Sequence, residues 1–422
     1  MKKKIYFLIS VILILSLALT GCGGGGADTG NDSEGPVVFG AIFPLTGPNA
    51  LLGDESLRGA QIMVDELNAN GGLWGREVVL NVADAPDATA AQTEAERLIT
   101  KDGVKIMFGA YSSAIANVAS DVCARYEVPY FEFGGIGTDI MRKGYPYVWR
   151  TCADAFGFGT GQAQYVTEIC LPALGIEPAD AKVVLAYEDS LYGTSVSEAC
   201  QEALLEFGYK PENIKNIPYA ATSVDLSSVI LDAKSFNPDA FFTVSYVNDQ
   251  ILLARQAEEL NFQPPVWIGA GGGMSMTPTL EAVGNGMYGL TGIDFPQYEV
   301  DKEKINGVDE FVAKYEEKYG AFPRSGHSMT NYAGMQIMID ILEEAGSMDK
   351  DEIKAAATAM DKPFNTYIGG WGAKFDETGQ NVNAPLVVGM WTTEKLVAVW
   401  PEEFAITEPV IPIPSWSDKR AM

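Results

Sequence analysis

VVFGAIFPLTGPNALLGDESLRGAQIMVDELNANGGLWGREVVLNVAD, residues 37–84, decides the fold. Its first eight residues are mostly β-branched, aromatic or small and end at Pro44 and a Thr-Gly-Pro turn, the pattern of a buried strand. Leu57, Ala60, Val64 and Leu67 then recur at steps of three and four, one apolar face of a helix. Gly71 and Gly72 stop that helix, because glycine takes the left-handed conformation its C-terminus needs. EVVLNVAD (77–84) is a second strand. Strand, helix, strand at this spacing is a βαβ unit, which pairs its strands in parallel.

The same theme runs on through the chain. ATAAQTEAERLITKDG follows the second strand, and KIMFGA (105–110) precedes AIANVASDVCARY. Then come PYFEFG, YVWR, a helix near 155–170, KVVLAY, a helix from Ser195, DAFFTVSY, a helix from Asp249 and PVWIGAG. About ten such strands are too many for one compact sheet of this twist, so two α/β lobes follow, each a parallel sheet covered by helices on both faces. PLVVGMW and LVAVWP read as a terminal hairpin on one lobe, and IPIPSWSDKRAM as a proline-broken, irregular tail.

Ahead of the lobes, Lys2, Lys3 and Lys4 lead into an apolar run from Ile5 to Leu19 that ends in Leu19-Thr20-Gly21-Cys22. A basic head, a short apolar stretch and a small-residue cut site describe a secretory signal peptide over 1–21, too short to span a bilayer as a mature helix. The Leu-Thr-Gly-Cys ending resembles the bacterial lipobox, which implies that Cys22 carries a diacylglycerol anchor. Residues 22–36 are then a small, polar tether. Two acyl chains hold a protein at a membrane surface where one does not.

The chain carries 29 basic and 56 acidic residues. Removing the three lysines of the signal peptide leaves a net charge of about -30. Nucleic acid is excluded as a partner, since it requires a basic face, and an anionic ligand must be held locally against the global field. A single histidine and five cysteines in no CxxC spacing leave no transition-metal site and no cofactor. Cys123, Cys152, Cys170 and Cys200 are even in number in an exported chain, so one or two disulfides are open; Cys123 and Cys200 sit within helical patterns, where a buried free thiol is the commoner outcome. Neither GxxxxGK[ST] nor GxSxG occurs. Gly284-Asn-Gly-Met-Tyr-Gly289 matches GxGxxG but precedes a strand rather than following one, so the pyrophosphate geometry is missing.

In open parallel sheets a ligand lies beyond the carboxyl ends of the strands, where helix N-termini present unpaired amides. Two turns fit. Ala110-Tyr111-Ser112-Ser113 lies between KIMFG and the next helix, and its serines either cap that helix or give a hydroxyl to an anion. Gly134-Gly135-Ile136-Gly137-Thr138 follows PYFEF, and its glycines let backbone amides approach a bound group.

FGAIFPLTGPNALLGDESLRGAQIMVDELNANGGLWGREVVLNVAD resembles the opening of the type I periplasmic solute-binding proteins of branched-chain amino acid ABC transporters. Further matches are GYPYVWRT (144–151), EDSLYGTS (188–195) and NDQILLARQAEELNF (248–262). The resemblance runs over roughly 37–400. It implies two doubly wound parallel-sheet lobes joined by a three-crossover hinge, with 37–153 plus 288–378 as the first lobe, 154–287 plus 379–402 as the second and 403–422 as a tail.

It also implies site residues. Ser113 falls where the family's serine bonds the ligand carboxylate, and Gly135 and Ile136 where backbone amides assist; Ile136 lacks the family's threonine hydroxyl. Leu52, Tyr111 and Ser112 fall on the first-lobe wall, Tyr192 and Tyr246 on the second, and His327 near a further wall position. The family's acid for the ligand ammonium is replaced by Ala270-Gly271-Gly272-Gly273. Asp294, near a lobe crossover, is the best substitute, with Glu188, Asp189 and Asp249 next. The expected function is capture of a small carboxylate-bearing ligand, a hydrophobic or branched-chain amino acid first and an acid without an ammonium second, by a monomer that delivers it to an ABC permease. The expected location is the outer face of the cytoplasmic membrane or the periplasm. A sensing subunit of a receptor is a third reading and a lipoprotein enzyme the last, since no nucleophile and base pair is visible.

Overall fold

The computed structural model describes residues 35–422. The signal peptide, Cys22 and nearly all of the tether lie outside the described residues. Strands β1 (Val37–Phe43), β2 (Val78–Asp84), β3 (Met107–Gly109), β4 (Tyr130–Glu132) and β5 (Val148–Arg150) form one sheet in the order β2-β1-β3-β4-β5, parallel throughout. A second sheet holds β6 (Val183–Glu188), β7 (Ile214–Tyr219), β8 (Ala240–Val244), β9 (Val266–Ala270) and β10 (Thr291–Asp294). Two further residue pairs, β11 (Asp361–Lys362) and β12 (Ala373–Lys374), make a separate short ladder. The second sheet is completed by β13 (Val387–Trp391) and β14 (Leu396–Trp400), in the order β14-β13-β10-β9-β8-β6-β7.

Each sheet thus places its first strand one in from the edge, so that the chain winds outward in both directions and a crevice opens where the winding reverses. The expected terminal hairpin is the antiparallel β13–β14 pair. β7 has no counterpart in the sequence reading. It is an edge strand of alternating exposure, and Pro218 within it needs no ladder donor on the outer side.

Three crossovers join the lobes. The chain leaves the first sheet after Arg150 and enters the second lobe through the helix Ala155–Tyr165; after Asp294 it returns to the helices Val308–Tyr319 and His327–Ala345; after Lys374 it passes back to β13. The expected boundary at 288 is corrected by this path. β10 lies between β9 and β13 in the second sheet, because Thr291–Asp294 is buried along its whole length and needs a strand on either side. Residues 288–294 therefore belong with the second lobe, and the crossover begins after Asp294.

The helices Ala50–Ala69 and His327–Ala345 pack against each other in the first lobe. Gly59 permits it, since a Cβ there would sit 1.7 Å from the Ser328 carbonyl oxygen. The helices expected from Ser195 and Asp249 begin earlier, at Leu191 and Val247. The tail is more ordered than expected: Trp416–Arg420 is a helix whose N-cap, Ser415, accepts from the Asp418 amide. Trp416 is buried there and donates from Nε1 to the Phe262 carbonyl at 2.9 Å. Cys123, Cys152, Cys170 and Cys200 are all buried free thiols, which closes the disulfide question for the described residues.

Candidate functional site

A cavity of about 20 Å³ lies between the lobes, at the carboxyl ends of their strands, room for about one water molecule and well below the range for small-molecule sites. Tyr111, Ser113, Gly134, Ile136 and His327 reach it from the first lobe. Phe158, Tyr192, Tyr246, Gly271, Asp294 and Phe295 close it from the second. The two walls touch through rings: Tyr111 and Tyr246 have centroids 6.1 Å apart, and Phe295 and His327 5.4 Å. Outside the cavity the Thr138 amide donates to Ser195 Oγ across the lobes at 3.2 Å.

The first-lobe wall is built from the ends of β3 and β4. Ser112 is the N-cap of the helix Ser113–Arg125, yet neither serine caps it through its side chain. Ser113 Oγ instead accepts from the Gly137 amide at 3.0 Å, which leaves its own hydrogen to give to a bound oxygen. Ser112 faces the Tyr246 hydroxyl, whose acidity burial suppresses and the bonds to Ser112 and Ser190 partly restore. Leu52 is buried beside the cavity against Tyr111, Val247 and Met276, without lining it. Gly272 lies close enough across the lobes that a Cβ there would come 2.8 Å from a Leu52 methyl.

One expected role is corrected. The Gly135 amide does not face a ligand; it donates to Glu132 Oε1 at 2.5 Å. Glu132 also accepts from the Gly134 amide at 2.9 Å, the Ala110 amide at 2.8 Å and the Tyr130 hydroxyl at 2.5 Å. Fully buried, its carboxyl is pushed up to about 7 by desolvation, against the pull of these four donors. Sequence reasoning passed over Glu132, although an acid inside the aromatic strand PYFEF directly before a double glycine was a usable signal. It also passed over Arg150, which is buried and hands its NH1 to the carbonyls of Gly135 and Gly137 at 3.2 and 2.9 Å and its Nε to Gln380. Arg150 therefore braces the 134–137 loop against the third crossover.

His327 starts its helix, with Nδ1 3.2 Å from Ser325 Oγ. Its segment is anchored by the buried Glu55, which accepts from the Ser328 hydroxyl at 2.9 Å and the Arg324 amide at 3.1 Å.

On the second-lobe wall, Tyr192 donates to the Ala270 carbonyl at 2.7 Å. A Cβ on Gly271 would lie 2.4 Å from that hydroxyl, and Gly271 has φ +65°. The room for an acid at 271 is filled by the Tyr192 ring. Asp294 lines the cavity at 1 % exposure, so it is no solvated hinge residue. One oxygen accepts from the Phe295 amide at 2.8 Å and the other from Ser275. Burial raises its carboxyl, the facing His327 opposes that rise, and burial in turn lowers His327. The other candidate acids are engaged elsewhere or outside: Glu188 caps its helix through the amides of Ser190 and Gly193, Asp249 accepts from Tyr219, and Asp189 is exposed. Among the described residues no cluster of His, Cys, Asp and Glu could hold a metal, and no helix is long and apolar enough to cross a membrane.

Two α/β lobes joined by three crossovers with a cavity between them have the architecture of a hinged binding protein, and known proteins agree. The family described as periplasmic binding protein matches residues 36–395. The Leu/Ile/Val-binding protein homolog 8 of Brucella abortus is 39 % identical over 381 residues, which are 88 % of this chain and 92 % of that one. The leucine-binding protein LivK of Thermotoga maritima superposes with a TM-score of 0.74 at 25 % identity, covering 86 % of this chain and 97 % of that one. A solute-binding protein of R. palustris solved in complex with benzoate shares the fold at TM-score 0.74 and 17 % identity, over 90 % and 98 % of the two chains. The chain belongs to the periplasmic binding protein family, as a type I solute-binding protein of the branched-chain amino acid ABC transporter class. Its work is binding rather than catalysis.

Proposed function

We propose that this chain is an exported, lipid-anchored receptor that captures an amino acid with an apolar side chain between its lobes and passes it, as a monomer, to an ABC permease. One observation carries the ligand: a hydroxyl free to donate, Ser113, and a buried acid, Asp294, line the same cavity from opposite lobes. The carboxylate lies at Ser113, the ammonium at Asp294 and the side chain against Tyr192, Tyr246, Phe158 and Phe295. An ammonium there compensates the buried charge of Asp294, which left alone costs several kcal/mol. Leu, Ile or Val are the first ligands to try, in keeping with the names of its relatives.

A second reading has its own support. The aromatic walls and the glycine at 271 suit an aromatic acid without an ammonium, the class of ligand in the R. palustris complex. Calorimetry with leucine against 4-methylpentanoate, and phenylalanine against benzoate, separates the two. The amino-acid reading expects each amino acid to bind at least about a hundredfold more tightly than its partner, the order of an unpaired buried charge; the reverse order moves the function to organic acids. The anchor is tested separately. Cys22→Ser should release the protein from membranes or leave the precursor uncleaved, and a variant that fractionates and migrates like the parent refutes the anchor.

A further inference from the structure

We propose that Glu132 is the positioning residue of the first-lobe wall, a resident carboxylate that fixes both ligand-facing loops and makes capture of a ligand carboxylate draw a proton into the protein. The inference rests on the carboxylate reading above, and its first half also stands on the unliganded structure.

The geometry is that of an occupied anion hole one layer behind the cavity. The Ala110 amide opens the loop that carries Tyr111 and Ser113; the Gly134 and Gly135 amides open the loop that carries Ile136 and Gly137; all three point at one carboxylate. Glu132 thus ties together the ends of β3 and β4, the two elements whose loops form this wall. The glycines are required for it, since a Cβ at Gly135 would lie 2.6 Å from the Ala116 methyl. A bound carboxylate finds these amides already taken and must rely on Ser113 and the start of its helix.

Glu132 has no cationic partner among the described residues. The titratable groups that face it are Tyr130 on its own strand and Cys152 beyond β5, with Cys123 from the helix Ser113–Arg125 behind Tyr130. The one nearby cation, Arg150, spends its guanidinium on the carbonyls of Gly135 and Gly137, on Gln380 and on Asp154 at 3.9 Å. A ligand carboxylate at Ser113 therefore meets a like charge in a poorly screened interior, which favours the protonated form of Glu132. With that carboxyl already near 7, binding takes up protons at neutral pH and tightens as pH falls from 8 to 6.5, by roughly threefold to tenfold. His327 works in the opposite sense below that window, since its protonation repels an ammonium, and burial holds its titration lower.

The test uses leucine as probe. Calorimetry at pH 7 in phosphate and in Tris, whose ionisation heats differ, counts the protons exchanged; the parent is expected to take up more protons than Glu132→Gln, because those that the ammonium expels from the raised Asp294 carboxyl are common to both. Tyr130→Phe removes a donor that favours the charged carboxylate, so the midpoint of the pH dependence should move upward by about half a unit to one unit. A Glu132→Gln protein that loses affinity equally at every pH, with uptake intact, overturns the proton coupling. If Glu132→Gln does not fold, an unmoved midpoint in Tyr130→Phe overturns it. Hydrogen exchange of the ligand-free protein is the independent arm: amides at 110 and 134–135 should exchange roughly tenfold faster in Glu132→Gln than in the parent, with β1 and β2 unchanged. If neither leucine nor benzoate gives heat with the parent, the ligand reading fails by itself, and unchanged exchange at those amides overturns the positioning role.

Discussion

The two walls of the cavity are built from the same strand order and made of different material. The first-lobe wall is backbone and hydroxyl: short loops at β3 and β4, fixed from behind by Glu132 and Arg150, presenting Ser113. The second-lobe wall is rings and one acid, with Tyr192 and Tyr246 5.2 Å apart, and Asp294 set at the mouth of a crossover. A rigid loop is suited to a group every ligand of the class shares, and an adaptable aromatic surface to the part that varies. Asp294 sits where the chain leaves β10 for the first lobe. Discrimination should therefore be concentrated on the second lobe and general affinity on the first.

The sharpest way to break that division is Asp294→Asn. Removing one partner of a buried charge pair typically costs 3–5 kcal/mol, so leucine binding should fall by about two to four powers of ten. Binding of 4-methylpentanoate should hold or improve. Tight leucine binding that survives the substitution would move the ammonium subsite elsewhere and cost Asp294 its role.

Ser113→Ala probes the other wall and should act more evenly. A hydrogen bond to a charged group contributes about 1.5–3 kcal/mol, so every carboxylate ligand should weaken by about one to two powers of ten, amino acid and deaminated analogue alike. Unliganded stability should also fall, by about 1–3 kcal/mol, because the buried Gly137 amide loses its acceptor. A loss of affinity confined to amino acids, or a loss of stability with affinity unchanged, would contradict the assignment of the first wall to the shared carboxylate.

The unevenness of the walls also explains what the sequence revealed. Strands with a continuous apolar run, such as KVVLAY and DAFFTVSY, announced themselves, because burial on both faces leaves no room for polar residues. β7 did not, since an edge strand with Lys215, Asn216 and Pro218 carries no such run. The lobe of β10 was misjudged because sheet membership depends on which strand it lies beside, and β13 is contributed from nearly a hundred residues later. Eight expected site residues do line the cavity: Tyr111, Ser113, Ile136, Tyr192, Tyr246, Gly271, Asp294 and His327. Gly135 was misread because the turn pattern gives the direction of an amide no more than its partner, and Glu132, three residues earlier, takes it. Phe158 and Phe295 were missed for a simpler reason: an apolar residue near a crossover looks like core until the facing lobe leaves it at a cavity.

The smallest effect compares the buried acids of the two lobes. Glu132 and Asp249 are both pushed up to about 7 by desolvation, but they are held differently. Glu132 has three backbone amides converging on it, whereas the side-chain partner of Asp249 is the Tyr219 hydroxyl at 2.8 Å. A carboxyl raised by folding contributes stability that is complete below its ordinary value and is lost as pH rises through the raised one. At pH 8 both sites therefore carry a cost that is absent at pH 4. Asn in place of Asp249 still accepts from Tyr219 and never charges, so Asp249→Asn should gain on the parent between pH 5 and pH 8. Loss of a negative charge at the start of the helix Val247–Glu259 subtracts about 0.3–1 kcal/mol from that gain at every pH at which Asp249 is charged. At Glu132 the amide replacement keeps one acceptor oxygen where the parent has two for the same donors, so the loops it ties are held less firmly and Glu132→Gln should show a smaller gain or a loss over the same range. Melting curves of the two variants and the parent at pH 5, 6.5 and 8 decide it. A difference between Asp249→Asn and the parent that stays flat with pH would mean that Asp249 is charged and paired in the folded protein, and that the two lobes handle their buried acids alike.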